Sequence, residues 1–232
     1  MKKLLVLSSC LLSFVISNSA LSIEANVWVY KVKPGHMIEA IELFEEAIKM
    51  AEEADRNTVI AQQSFGKGGE FIYHWVDFYD SLEQKANDPY QADDYDDFIE
   101  RFYSSGAVST VRSYAMTLID DQLCSVNTVV SVYVWKPRPG KFSEVVESFK
   151  ASQAFFEKHG WEIDLWQENI GGHDNLQFVM CSASLADQAK SFASLNSDEE
   201  WILEQPNTPL WDSDSDNSDL MASFELNPII PD

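Results

Sequence analysis

His74 interrupts a run of alternating large residues, Phe71-Ile72-Tyr73-His74-Trp75-Val76, with a single imidazole. In a strand that alternation puts Ile72, His74 and Val76 on one face, and an imidazole turned into an apolar enclosure can move a proton or ligate a cofactor. His74 is therefore the candidate catalytic residue, set against the plainer role of a hydrogen-bonded structural histidine. The remaining histidines have local reasons for their positions. His36 adjoins Pro34-Gly35 at a helix start, His159 precedes Gly160 where a helix C-terminus favours a cation, and His173 lies in a Gly-rich turn.

Carboxylates are abundant enough to raise the question of a metal. Asp212, Asp214 and Asp216 fall at the 1, 3 and 5 spacing of a calcium loop, but position 6 is Asn217 rather than Gly and position 12 is Ser223 rather than Glu. That stretch and the run from Asp93 to Asp97 read as solvated acidic loops. No Cys/His zinc spacing, phosphate-binding loop, GxGxxG or GxSxG elbow is present, so the sequence implies no metal and no cofactor and speaks against nucleotide binding or serine hydrolysis.

These residues need a scaffold, and an internal repeat supplies it. The segment VWVYKVKPGHMIEAIELF from Val27 aligns without gaps to VYVWKPRPGKFSEVVESF from Val132, with 8 of 18 positions identical at an offset of 105. The same offset pairs Gln62 with Gln167 and Gly66 with Gly171, and a two-residue deletion then pairs Ser81-Leu82 with Ser184-Leu185. Each copy reads as a Val/Trp/Tyr strand, a Pro-Gly break, an amphipathic helix, two strands joined by a Gly-rich turn, an acidic helical region and a last strand. The order is βαββαβ, twice, over residues 23–122 and 125–232.

A unit of about 100 residues with this order, Pro-Gly after the first strand and an aromatic first strand resembles the dimeric α+β barrel superfamily. The resemblance covers nearly all of the mature chain. It implies an α+β fold in which two ferredoxin-like units pack their sheets face to face as an intramolecular pseudo-dimeric barrel. Members include antibiotic-biosynthesis-type and heme-degrading monooxygenases, muconolactone isomerases and NIPSNAP-like proteins.

In the first strands Val27, Val29, Val132 and Val134 form an aliphatic face suited to helices. The opposite face, Asn26, Trp28 and Tyr30 with Ser131, Tyr133 and Trp135, is then assigned to the barrel interior. His74 is expected near Asn26 and Trp28, Gln177 is the polar exception on the matching strand of the second copy, and Val179 stands as the counterpart of His74. An aromatic lining with a few polar groups suits a cavity for a small apolar or aromatic molecule; the same residues could instead plug the core. Three functions stay open: a binding protein, a cofactor-free monooxygenase or isomerase acting on an aromatic or polyketide-like substrate, and a structural module with a filled barrel. Oligomerisation is open as well.

Cys124 precedes the first strand of the second copy and Cys181 ends its third. In a ferredoxin-like sheet the third strand runs antiparallel beside the first, so the two cysteines meet, either as a disulfide or as two buried thiols. Export would permit the bridge. Lys2-Lys3, the apolar run from Leu4 to Ile16 and the small residues up to Ser22 read as a secretory signal over residues 1–22, cut near Ala20 to Ser22, with a periplasmic destination. No later apolar run could span a membrane. Of the 232 residues, 16 are Lys or Arg and 38 are Asp or Glu, a net charge of −22 that becomes −24 once Lys2 and Lys3 are lost. Such a charge repels nucleic acid and anionic bilayers, while 45% hydrophobic and 12% aromatic content builds a core and excludes global disorder.

Overall fold

The structure, a computed structural model, describes residues 23–67, 71–87, 93–120, 123–125, 128–173, 175–204 and 216–231. Residues 1–22, read above as a secretory signal, and Asp212 and Asp214 of the acidic stretch lie outside the described residues. The first half runs β1 (Glu24–Val32), α1 (Met37–Glu53), β2 (Asn57–Phe65), β3 (Ile72–Tyr79), α2 (Leu82–Ala86), α3 (Asp93–Ser104) and β4 (Val108–Leu118). The second runs β5 (Val129–Pro137), α4 (Phe142–Glu157), β6 (Glu162–Glu168), β7 (Leu176–Ser182), α5 (Leu185–Asn196), α6 (Glu199–Glu204) and β8 (Ser218–Pro228). The acidic run at Asp93 to Asp97, expected as a loop, opens α3 instead. Among the described residues no helix is long and apolar enough to cross a membrane.

The strands close into one barrel in the order β1-β3-β2-β8-β5-β7-β6-β4. Each half contributes four neighbouring strands, and the halves meet at two antiparallel seams, β2 with β8 and β4 with β6. Closure leaves no unpaired sheet edge at the seams. Helices cover the outside: α1 buries the stripe Ala40, Phe44, Ala47, Ile48 and Ala51, and α4 buries Val145, Val146, Phe149 and Phe156. The serines of the repeated Ser-Leu pairs cap the next helices, Ser81 accepting from the Gln84 N–H and Ser184 from the Asp187 N–H, both at 3.1 Å.

Three apolar clusters show which face of each strand points where. One draws on both halves and fills the barrel: Val27, Val29, Ala61, Met116, Val132, Val134, Val179 and Leu226 are among its members. The other two lie between sheet and helices, with Tyr30, Tyr73, Trp75 and Phe44 in the first half and Trp135, Phe149, Phe156 and Phe178 in the second. The face assignment of the first strands is thus reversed. Trp28, Tyr30, Tyr133 and Trp135 pack toward the helices, Asn26 shares their side, and Ser131 accepts a 2.9 Å hydrogen bond from Gln188 of α5. Rings do enter the barrel, but from other strands: Phe78, Tyr114, Trp166 and Phe224 share the interior with the valines, while the first-strand indole and phenol rings pack beneath the helices.

Register makes a second correction. Val29 lies opposite His74 in the first half, and Val134, its repeat partner, lies opposite Gln177 in the second. The structural counterpart of His74 is therefore Gln177 rather than Val179. The two-residue deletion falls inside the turn between β6 and β7, shifting β7 by two positions and so preserving which face each side chain takes. A β-bulge recurs at equivalent places, between Val29 and Tyr30 and between Val134 and Trp135.

The glycines opening the two hairpin turns let those turns close on the seams. Gly171 has φ +80°, and a Cβ there would stand 2.5 Å from the Ser113 carbonyl oxygen; Gly66, at φ +112°, would meet Phe224 Cβ at 2.8 Å. Gly171→Ala is expected to lower stability by about 2 kcal/mol, since it adds both left-handed strain and a backbone clash. Urea unfolding with a lower midpoint and an unchanged slope checks this.

Candidate functional site

Inside the barrel, toward the end where β2, β5 and β6 begin, lies a cavity of about 120 Å³. Its wall is mainly aliphatic, with Val27, Val59, Ala61, Val132, Val179 and Leu226 among the lining residues. The aromatic part comes from Phe78, Tyr114, Trp166 and Phe224, all on later strands, and not from the first-strand Trp and Tyr residues expected there. Of the residues singled out in the sequence, His74, Gln177, Cys124 and Cys181 line it; Asn26, Trp28, Tyr30, Ser131, Tyr133 and Trp135 do not.

Two polar clusters, related by the internal repeat, mark the seams. In one, His74 is 6% exposed and its ring stacks on Phe224 at 4.9 Å between centroids. The Gln63 amide nitrogen donates to the Lys67 carbonyl at 3.1 Å, so its oxygen faces His74 Nε2 at 3.3 Å and that nitrogen carries the proton. Nδ1 keeps its lone pair. Burial first, and then the Arg112 charge, lowers the His74 pKa to about 3, so the ring is neutral across the physiological range.

In the other cluster Gln177 stands where His74 does and Glu168 where Gln63 does. Glu168 is fully buried, and its carboxylate accepts from Arg112 Nη2 at 2.9 Å, Gln177 Nε2 at 2.8 Å, Asn175 Nδ2 at 3.0 Å and the His173 N–H at 3.2 Å. Four donors occupy its four lone-pair directions. Gln177 also donates to the Tyr114 hydroxyl at 3.1 Å, and the Arg112 guanidinium lies 4.0 Å from the centre of the Tyr114 ring. Burial pushes the Tyr114 pKa up to about 12, keeping it a phenol.

The third polar feature stands at the other end of the cavity. Asp164, 3% exposed, accepts from the Cys124 backbone N–H at 2.7 Å and, more weakly, from Trp166 Nε1 at 3.4 Å. Burial chiefly, with the nearby Asp120 carboxylate adding to it, raises its pKa to about 7. Leu123, Cys124 and Ser125 form this wall. They are held by the Cys124–Cys181 disulfide, with Cα atoms 6.1 Å apart, and by Ser125, whose N–H and hydroxyl donate to Glu162 at 2.7 and 3.1 Å.

Sequence reasoning missed Glu168, Arg112, Tyr114 and Asp164. A signal existed for two of them: in Glu162-Ile163-Asp164-Leu165-Trp166-Gln167-Glu168 the acids and Trp166 alternate with Ile163 and Leu165, which belong to the helix-facing cluster. Arg112 and Tyr114 carried none, because their roles depend on the β4–β6 seam, a contact between distant segments.

No family model and no curated protein matches the sequence. Solved structures do. A provisionally assigned monooxygenase from Fusobacterium nucleatum superposes with TM-score 0.63 over 90% of this chain and 94% of its own at 10% identity. Another from Lactobacillus acidophilus gives 0.54 over 91% and 100% at 13% identity, and a heme-binding protein from Thermus thermophilus gives 0.53 over 90% and 92% at 8% identity. The fold is the dimeric α+β barrel. Here both ferredoxin-like halves of that barrel lie in one chain, and at these identities the likeness extends to the fold alone.

The heme-binding neighbour raises the question of a tetrapyrrole in this dimeric α+β barrel. The interior cavity is far too small for one. The barrel interior therefore does not fit a heme. What it offers is an apolar enclosure with three polar fixtures: the His74 ring, the Gln177–Tyr114 pair and Asp164.

Proposed function

We propose that the protein binds a small, largely apolar molecule between the two sheets of the barrel. The observation carrying this reading is the cavity of about 120 Å³ itself, partly open at one end of the barrel, walled by aliphatic and aromatic side chains and flanked by polar groups whose hydrogen bonds are mostly satisfied within the protein. An apolar cavity of about 150 Å³ in another protein stays dry and takes up benzene, so a space of this size suits a single ring or a short branched chain. Benzene is expected to raise the unfolding temperature of the wild-type protein. Ala61→Leu, which places three more carbons in the cavity, abolishes that shift, and native mass spectrometry of freshly purified protein shows adducts that this variant lacks. No benzene effect on the wild type overturns the reading.

The alternative, a cofactor-free monooxygenase or isomerase, draws on the described role of two fold neighbours. An imidazole with its pKa at about 3 is a weak base, which supports a hydrogen-bonding part for His74 over proton abstraction. If the alternative holds, turnover is lost in His74→Ala with folding retained.

The buried imidazole also has a consequence for stability. Its folded pKa of about 3 lies below the ordinary 6.5, so its stabilising contribution is present above 6.5 and drains away as pH falls toward 3. The share lost between pH 6.5 and pH 5 is about 2 kcal/mol. His74→Gln, neutral at every pH, is expected to flatten that part of the stability profile, measured by urea unfolding at stepped pH.

We also infer export, supported by the N-terminal charge and apolar pattern and by a disulfide that suits an oxidising compartment. N-terminal sequencing of protein secreted through the native signal tests it.

A further inference from the structure

Asp164 is a buried carboxylate on the cavity wall. It sits among Trp166, Val179 and Leu123 on the cavity wall, with the carboxyls of Asp120 and Glu162 as the charged groups facing it and no cation acting on it among the described residues. An unpaired carboxylate on an apolar wall is unfavourable, and a hydrophobic residue there would fold more comfortably. A carboxylate accepts about four hydrogen bonds. Two are supplied by Cys124 N–H and Trp166 Nε1, and among the described residues no other donor reaches it. Acceptor capacity is left over on a group that lines the cavity.

We propose that Asp164 is the polar anchor of the cavity and that the bound molecule is a small ring or branched hydrocarbon bearing one hydroxyl or N–H donor. The donor completes the carboxylate's hydrogen bonding while the hydrocarbon body fills the space between Ala61, Val179 and Phe224. This inference rests on the cavity being the binding site and adds to it the class of ligand. Because the carboxyl titrates near pH 7, the anchor works above that pH, where it accepts, and weakens below it, where it is protonated. His74 stays neutral over the same range and contributes no pH dependence.

The test compares phenol with benzene, matched in body and differing in the donor, by calorimetric titration at pH 8.5 and 5.5. Phenol is expected to bind about tenfold more tightly than benzene at the higher pH, the preference shrinking at the lower one. In Asp164→Asn the ratio of the two affinities no longer changes with pH. A wild-type ratio that is the same at both pH values overturns the role of Asp164 while leaving the cavity reading intact, and this measurement needs no variant. Failure of both probes to bind overturns the cavity reading itself. A second readout is stability: with its folded pKa raised above the ordinary carboxylate range, Asp164 disfavours folding as pH rises from 3.8 to about 7, so Asp164→Asn is more stable than wild type at pH 8.5.

Discussion

Replacing Cys124 and Cys181 together by serine lowers stability by about 4 kcal/mol, the loop-closure entropy of a bridge spanning 57 residues. Denaturant unfolding of the oxidised protein and of the double variant measures the difference, and reduction of the wild type gives the same loss without mutation. The effect is also spatial. The bridge fastens the segment between the two halves to β7, the Cys124 N–H bonded to Asp164 belongs to that segment, and both half-cystines line the cavity. Ligand-induced stabilisation is therefore expected to fall in the reduced protein by more than the global change in stability accounts for. Thiol labelling of denatured, unreduced protein, followed by peptide mapping, finds neither Cys124 nor Cys181 labelled if the bridge forms and both labelled if it does not.

Glu168→Ala is the second large effect. Four donors converge on a carboxylate with no exposed surface, and truncation strands them: Gln177, Asn175 and the His173 N–H are left in the interior, and Arg112 loses its counter-charge. Each buried donor left without a partner costs about 1–3 kcal/mol, and the half-exposed Arg112 charge, which water can reach, adds less. Glu168→Gln keeps two acceptor directions and the side-chain volume, and falls between wild type and alanine. Because Glu168 anchors Gln177 and, through it, Tyr114, the alanine variant also disturbs the cavity wall, seen as a weaker response to benzene at matched stability.

Much of this architecture was legible in the chain. The 105-residue repeat gave two units, the alternation on each strand gave their elements, and the position of two cysteines on antiparallel neighbours brought them together as a pair. His74 and Gln177 stand out in the sequence as polar exceptions on one strand face, and both line the cavity. What failed was deciding which face is inside. Alternation sorts Val27 and Val29 from Trp28 and Tyr30 but is silent on whether the helix layer or the barrel takes the larger rings, and that depends on the diameter at which eight strands close. The partner of His74 was misplaced for a related reason: a deletion inside a turn shifts register by two without changing any residue's face. The Glu168 cluster and Asp164 belong to contacts between the halves or with the linker, which periodicity within one strand does not encode.

An apolar space in the barrel able to hold a small molecule should also take up an inert apolar atom. Diffraction from crystals pressurised with xenon tests it most directly, because xenon occupies apolar cavities and leaves hydrated ones alone. One ordered xenon is expected between Ala61, Val179 and Phe224, and none in Ala61→Leu. An interior without xenon, its side chains closed together or hydrogen-bonded waters in its place, would contradict it.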